Sequence, residues 1–265
     1  MYVALGDSMS IDDYAGGAGR GAASLFYRNH PDWPGFFGSD LRTVLPDLEF
    51  RLLAFDGATS EGVLALQVPT LRGLPMAPRV ITLTVGGNDL LTYFGIAAGD
   101  AGRAAGHLGS RLKRILAACV EAVGGAGCVM VGNIYDPTDG TGSIPGSGFP
   151  LWPDSLAVLA RFNEVIAEVA GECPVQFVDI HHHFLGHGVR AHDPSFAHYH
   201  PEDATFWYTQ LVEPNARGAH ELRRLFWEAF LQSPLGARTR GMEKASSEKG
   251  FDAEGRERTR RGMLN

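Results

Sequence analysis

A three-layer α/β/α sandwich around a five-stranded parallel sheet is the fold class this sequence predicts. Five short apolar runs, at residues 2–5, 50–55, 80–85, 129–135 and 175–180, read as fully buried strands. Segments with helical apolar spacing lie between them. Turn residues or polar clusters follow each run, at the strand ends where open α/β sheets bind ligands.

The first run, Tyr2-Val3-Ala4-Leu5, leads into Gly6-Asp7-Ser8-Met9-Ser10. The second ends in Asp56-Gly57, and the third in Gly86-Gly87-Asn88-Asp89. Leu108, Leu112, Ile115, Leu116 and Cys119 form one helical stripe. Leu156, Leu159, Ala160, Asn163 and Ile166 form a second, and Ala219, Leu222, Leu225, Phe226 and Ala229 a third. Strands alternating with helices imply a parallel sheet covered on both faces. Residues 1–233 read as one domain. Residues 234–265, with more Lys and Arg than Asp and Glu and few apolar residues, read as a charged flexible tail.

The 265 residues are 45% hydrophobic and 20% charged, a balance that supports a sizeable core. The net charge of -7 points away from a nucleic-acid partner. Three cysteines make no disulfide framework and fit a reducing, cytoplasmic setting. Met1 leads straight into a strand, so no signal peptide is expected. No apolar stretch is long enough to span a bilayer, and no membrane partner is expected. Two glycine-rich loops, 15–21 and 139–146, read as flexible rims of a cleft. The first lacks the lysine of a phosphate-binding loop, and no cofactor is expected.

The chemistry sits at the strand tips. Ser8 offers a hydroxyl nucleophile. The N–H groups of Ser8 and Gly57 and the carboxamide of Asn88 offer three donors for one oxyanion. Asp7 is expected to brace the Ser8 loop, and Asp89 to cap the helix after Asn88. Trp152, Trp207, Tyr208 and Tyr93 are candidates to stack on a sugar or acyl chain, or to pack the core.

The chain resembles the SGNH (GDSL-type) hydrolases through Gly6-Asp7-Ser8, Gly57 and Gly86-Gly87-Asn88-Asp89 together. The resemblance covers residues 1–232. It implies a flavodoxin-like fold, no metal and no cofactor, and hydrolysis of small-molecule esters, thioesters or acetylated sugars. Ser8 would be the nucleophile, forming an acyl-enzyme. Ser8 N–H, Gly57 N–H and Asn88 would form the oxyanion hole.

That family's fourth block is Asp-x-x-His, usually followed by Pro-Asn. Here Gln210 stands in the aspartate slot and Glu213 in the histidine slot, ahead of Pro214-Asn215. A replacement base is expected among the histidines crowded at 181–200. His187, between two glycines, is the leading candidate, with Glu213 as its orienting carboxylate. His198 and His200 are alternatives. Two other readings compete. Asp179, His181, His183 and His187 form a weak metal-ligand pattern. The departing fourth block also fits a catalytically impaired protein that binds a carbohydrate or acyl ligand.

Overall fold

The structure, a computed structural model, describes residues 1–240. Five parallel strands form the main sheet: β1 (Tyr2–Gly6), β2 (Phe50–Leu52), β3 (Val80–Thr84), β4 (Cys128–Gly132) and β5 (Gln176–Val178), in the order β2-β1-β3-β4-β5. Strands β1 and β3 pair from Tyr2↔Val80 to Gly6↔Thr84, so their C-terminal tips end level.

Alternation along β1 divides the core. Tyr2 and Ala4 face α1 (Ala22–Tyr27) and α5 (Ala216–Gln232), where Phe26, Phe226 and Phe230 pack. Val3 and Leu5 face the opposite layer. There α3 (Ala101–Val123) and α4 (Ser155–Gly171) contribute Leu108, Leu112, Phe162 and Ile166. Full burial of each such side chain contributes about 1.5–3 kcal/mol. The first and third expected stripes mark core-facing sides; in the second, Leu156 and Ala160 are exposed, and the buried face runs instead through Val158, Leu159, Phe162, Val165 and Ile166.

Four of the expected strands end short of their apolar runs, and at two of the tips a side-chain amide binds the backbone. Past Leu52 the chain still donates from Leu53 to the Ala4 carbonyl and from Phe55 to the Gly6 carbonyl, and Gln67 adds two hydrogen bonds to Gly6, of 2.7 and 2.8 Å. Past Gly132, Asn163 brackets Ile134 in the same way, at 2.9 and 2.8 Å. Both amides turn polar strand ends toward a crevice without leaving buried backbone groups unpaired.

Gln67 comes from a helical stretch that opens with Ser60–Gly62, widens into a π-helical turn at Val63–Gln67 and closes with Val68–Arg72. Pro69 has no N–H to donate and its ring crowds the preceding turn, which accounts for the widening.

Residues 234–240, expected in the tail, continue as helix. Leu235 is buried in the core, and the Ser233 hydroxyl accepts from the Gly236 N–H. The remainder of the expected tail lies outside the described residues. No helix among the described residues is long and apolar enough to cross a membrane.

Candidate active site

Gly6 ends β1 at φ +121, where a Cβ would collide with the Thr84 carbonyl oxygen. This close approach lets the chain turn at once into the one-turn helix Ser8–Ser10. Asp7 caps that turn, accepting from Met9 N–H at 3.2 Å. The Thr84 hydroxyl donates to the same Asp7 oxygen at 2.9 Å and meets the Ser10 hydroxyl at 2.9 Å. Asp7 thus braces the nucleophile turn, as expected. Burial pushes its pKa up to about 7; the Thr84 and Met9 bonds oppose the rise and the Glu213 charge adds to it.

At the tip of β3, Gly86 adopts φ +124 and opens α2 (Gly87–Thr92). Asn88 sits in its first turn and donates one amide hydrogen to the Ala58 carbonyl at 3.1 Å. Asp89 does not cap its own helix. It accepts from both the N–H and the hydroxyl of Ser60, at 2.7 and 2.5 Å, and so ties the Gly57–Ser60 loop to α2. The N–H groups of Ser8 and Gly57 donate to no protein acceptor among the described residues.

Ser8, Asn88 and Glu213 all line one cavity of about 200 Å³. Gly57 is exposed at φ +72 and lies outside its lining. Glu213 arrives on a small antiparallel hairpin, β6 (Tyr208–Thr209) with β7 (Glu213–Pro214). The connecting turn holds Gln210 at φ 44 and Leu211 at φ 77. Two side chains in the left-handed region store strain of about 1–3 kcal/mol each. Tyr135 anchors the hairpin by donating to the Val212 carbonyl at 2.7 Å. Asn215 closes it, donating to the Phe206 and Tyr208 carbonyls while capping α5.

The Ser8 hydroxyl and the Glu213 carboxylate line the same cavity, with no hydrogen bond joining them among the described residues. Glu213 Oε2 is buried with no partner among the described residues. Burial raises its pKa above the ordinary carboxylate value; the Ser8 hydroxyl opposes this and the Asp56 charge adds to it.

His187 is not brought to either residue. Its ring stacks on Trp207 at 3.4 Å and on His200 at 4.7 Å, and its Nδ1 faces the Thr205 carbonyl at 3.2 Å. Burial pushes its pKa down to about 4, with the His200 charge adding to the drop. The expected His187–Glu213 pair is therefore absent, because an aromatic stack holds the imidazole away from the cavity that Glu213 lines. Among the described residues, no histidine lines the cavity.

The metal-ligand pattern disperses as well. Residues Ile180–Phe184 form a helical turn, so alternate histidines diverge: His181 faces the Ile134 carbonyl, and His183 faces Glu221. Of the two glycine-rich loops, 139–146 lines the cavity through Gly142, Ser143 and Ile144. Loop 15–21 instead folds around Asp12, which accepts from Gly19 and Gly21. Trp152 lines the cavity, whereas Trp207 and Tyr208 pack in the core.

Gln67 has no place in the sequence pattern of the site, yet it holds Gly6 two residues before the nucleophile. The only sign of it is a polar residue inside the apolar stretch Val63-Leu64-Ala65-Leu66-Gln67-Val68.

Among curated proteins, none matches this chain in sequence. Solved structures share its fold. The extracellular lipase from Streptomyces rimosus is 19% identical with a TM-score of 0.60, over 86% of this chain and 98% of that one. The lipase Lip_vut3 from goat rumen metagenome is also 19% identical, TM-score 0.61, over 86% and 96%. A single-site variant of Axe2, an acetyl xylan esterase from Geobacillus stearothermophilus, is 15% identical, TM-score 0.52, over 86% and 93%. The model of the GDSL-like lipase/acylhydrolase family matches residues 4–207. With the match spanning most of its length, the chain belongs to the GDSL-like lipase/acylhydrolase family.

Proposed function

We propose that this protein is a serine ester hydrolase in which Glu213, not a histidine, is the general base. The observation that carries this reading is that Ser8, Asn88 and Glu213 line one cavity in which Glu213, and no histidine among the described residues, is placed to take the proton.

The chemistry balances with these groups. Ser8 Oγ attacks the ester carbonyl carbon as its proton passes to the Glu213 carboxylate. The carbonyl oxygen becomes an oxyanion, stabilised by the free amide hydrogen of Asn88 and the Ser8 N–H. The Gly57 N–H, which has no protein acceptor among the described residues, is the third donor in this reading. One such donor is worth about 3–4 kcal/mol in the transition state. Collapse breaks the C–O bond, and Glu213 returns its proton to the leaving alkoxide. Water then attacks the acyl-enzyme, giving its proton to Glu213, which passes it to Ser8 as the acid leaves. A carboxylate with a raised pKa is a better proton acceptor than an ordinary one. Burial of Glu213 supplies that shift without an orienting aspartate.

A ligand-binding protein without turnover is the second reading, favoured by Gln210 and Glu213 in the fourth block. Fluorophosphonate labelling separates the two. An activated Ser8 labels in wild type and not in Ser8→Ala, and Ser8→Ala abolishes hydrolysis of p-nitrophenyl butyrate. An unlabelled wild-type protein without ester turnover would overturn the hydrolase reading. The three cysteines are unpaired, which supports the proposed cytoplasmic setting.

A further inference from the structure

The turn that carries Gly57 is held at both ends and open in the middle. Phe55, Asp56, Gly57 and Ala58 form it, with Ala58 N–H donating to the Phe55 carbonyl at 3.3 Å. Before the turn, Phe55 N–H donates to the Gly6 carbonyl at 3.3 Å. After it, the Ala58 carbonyl accepts from Asn88, and Asp89 binds Ser60. Between these ties, the backbone groups of Asp56 and Gly57 make no hydrogen bond among the described residues.

Gly57 is at φ +72, and Asp56 lies outside the positive-φ region, the pattern of a type II turn. In such a turn the central peptide runs from the Asp56 carbonyl to the Gly57 N–H. It can rotate as a unit into the type I arrangement, which turns that N–H the other way. Glycine accepts both arrangements, so its own sterics do not choose between them. A donor aimed from this peptide therefore needs a restraint on Asp56, at the peptide's other end.

Tyr14 supplies the restraint. Its hydroxyl donates to Asp56 Oδ2 at 2.9 Å, across 42 residues of sequence. Tyr14 stands on the segment that follows the nucleophile turn, and that segment is tied back to Ser8. Ile11 N–H donates to the Ser8 carbonyl at 3.3 Å, and Ala15 N–H to the Asp12 carbonyl at 3.1 Å. The Asp12 carboxylate accepts from Gly19 and Gly21 N–H at 2.8 and 2.7 Å, and Ala15 is buried. Tyr14 thus projects from a braced loop onto the oxyanion turn. The bond to Asp56 pushes the pKa of its hydroxyl up to about 12, with burial and the charges of Asp56, Glu213 and Asp13 adding to the rise. Tyr14 therefore keeps its proton wherever a carboxylate base is at work.

Resting on the serine-hydrolase reading, we infer that Tyr14 and Asp56 are positioning residues that lock the Gly57 peptide, so that its N–H serves the oxyanion formed at Ser8. Neither side chain lines the Ser8 cavity. They act through the peptide between Asp56 and Gly57, and they couple the nucleophile loop to an oxyanion donor. The contact is exposed, so its loss leaves the fold intact. Its effect falls on kcat, because the oxyanion develops only on the way to the tetrahedral intermediate.

Kinetics on p-nitrophenyl butyrate test this. Tyr14→Phe should lower kcat about tenfold, part of the roughly 10²–10³-fold lost with a whole donor, and leave KM near the wild-type value. Asp56→Ala should match it. The double variant Tyr14→Phe/Asp56→Ala should lose no more than either single one, since both break one contact. Asp56→Asn, whose amide oxygen still accepts from Tyr14, should recover most of the loss. The ketone 1,1,1-trifluoro-2-hexanone, which forms a tetrahedral adduct with a reactive serine, should bind Tyr14→Phe more weakly by the factor lost in kcat. Butyramide, a planar ground-state analogue, should bind both proteins alike. Wild-type kcat in Tyr14→Phe, or losses that add in the double variant, overturns the positioning role and leaves Ser8 as nucleophile. Equal losses of ketone and butyramide affinity overturn it too, because they report a displaced cavity and not a displaced donor. No ester turnover and no ketone adduct in wild type overturns the serine-hydrolase reading, and the positioning role with it.

Discussion

The side-chain amide of Gln67 and the peptide unit of Gly6 are joined by a pair of hydrogen bonds. Gly6 N–H donates to Gln67 Oε1 at 2.7 Å, and Gln67 Nε2 donates to the Gly6 carbonyl at 2.8 Å. Gln67 is 2% exposed, so water cannot replace it. On the opposite side, Asp7 N–H donates to the Thr84 carbonyl at 3.1 Å. The last residues before Ser8 are therefore held from both neighbours, one a strand and the other a side chain acting as a strand.

Gln67→Leu keeps the volume and removes both bonds. The Gly6 N–H is left buried and unpaired, at a cost of about 1–3 kcal/mol. The expected outcome is an unfolding free energy, read from urea denaturation, lowered by that amount. A fall in kcat larger than any rise in KM should accompany it, because Ser8 loses its register against Asn88. Unchanged kcat in a destabilised variant would confine Gln67 to a structural role.

Glu213 as base makes a pH profile unlike that of an imidazole. The base acts when ionised, so activity is present above its pKa and lost as pH falls through it. Burial raises that pKa, placing the acid limb above the ordinary carboxylate range of about 4.3. Glu213→Gln should lower kcat by about 10²-fold or more. Glu213→His should keep some activity and move the acid limb toward the imidazole range, near 6.5. A wild-type limb already near 6.5 that persists in Glu213→Gln would remove Glu213 from this role.

Asp7 carries a cost at neutral pH. Its folded pKa, about 7, lies above the unfolded value near 3.8. The folded state therefore favours the protonated form. This contribution is fully present below about pH 4 and is lost as pH rises through 7, amounting to a few kcal/mol in order of magnitude. Asp7→Asn keeps an acceptor for Met9 and Thr84 and never ionises. Its unfolding free energy should be flatter than wild type between pH 4 and 8, and higher at pH 8. Parallel curves for the two proteins would show that Asp7 does not titrate across this range.

Elements are legible in the sequence wherever one local pattern governs them. The run Tyr2–Leu5 is buried on both faces, and its apolarity alone marks it as a central strand. The tips at Ser8 and Asn88 are legible because glycines flank them and the strands there end level. What the sequence cannot convey is which polar group reaches which across the crevice. Gln67 is a single polar residue in an apolar stretch, and only the π-helical turn aims it at Gly6. His187, between two glycines, has the flexibility of a catalytic loop. Yet Trp207, twenty residues on, offers a stacking face that captures it. In sequence Glu213 reads as an orienting group because the chain has histidines to spare. In the folded chain the hairpin sets it in the lining of the cavity that Ser8 and Asn88 share.

His187 then has a part in stability. Its folded pKa is about 4, below the unfolded value of 6.5, so the fold favours the neutral ring. That contribution is present above pH 6.5 and is lost as pH falls through 4, because protonation puts a charge in the stack with Trp207 and His200. His187→Phe keeps a ring against Trp207 and cannot protonate. It forfeits the contact with the Thr205 carbonyl, worth about 1 kcal/mol. The expected outcome at pH 8 is a slightly less stable protein whose kcat/KM on p-nitrophenyl butyrate stays within about threefold of wild type. Between pH 6.5 and 4 its stability should fall less steeply than that of wild type, followed by urea unfolding at half-unit steps. A loss of activity approaching 10²-fold, with the fold intact, would return the base to His187 and require the loop around it to swing toward Ser8 during turnover.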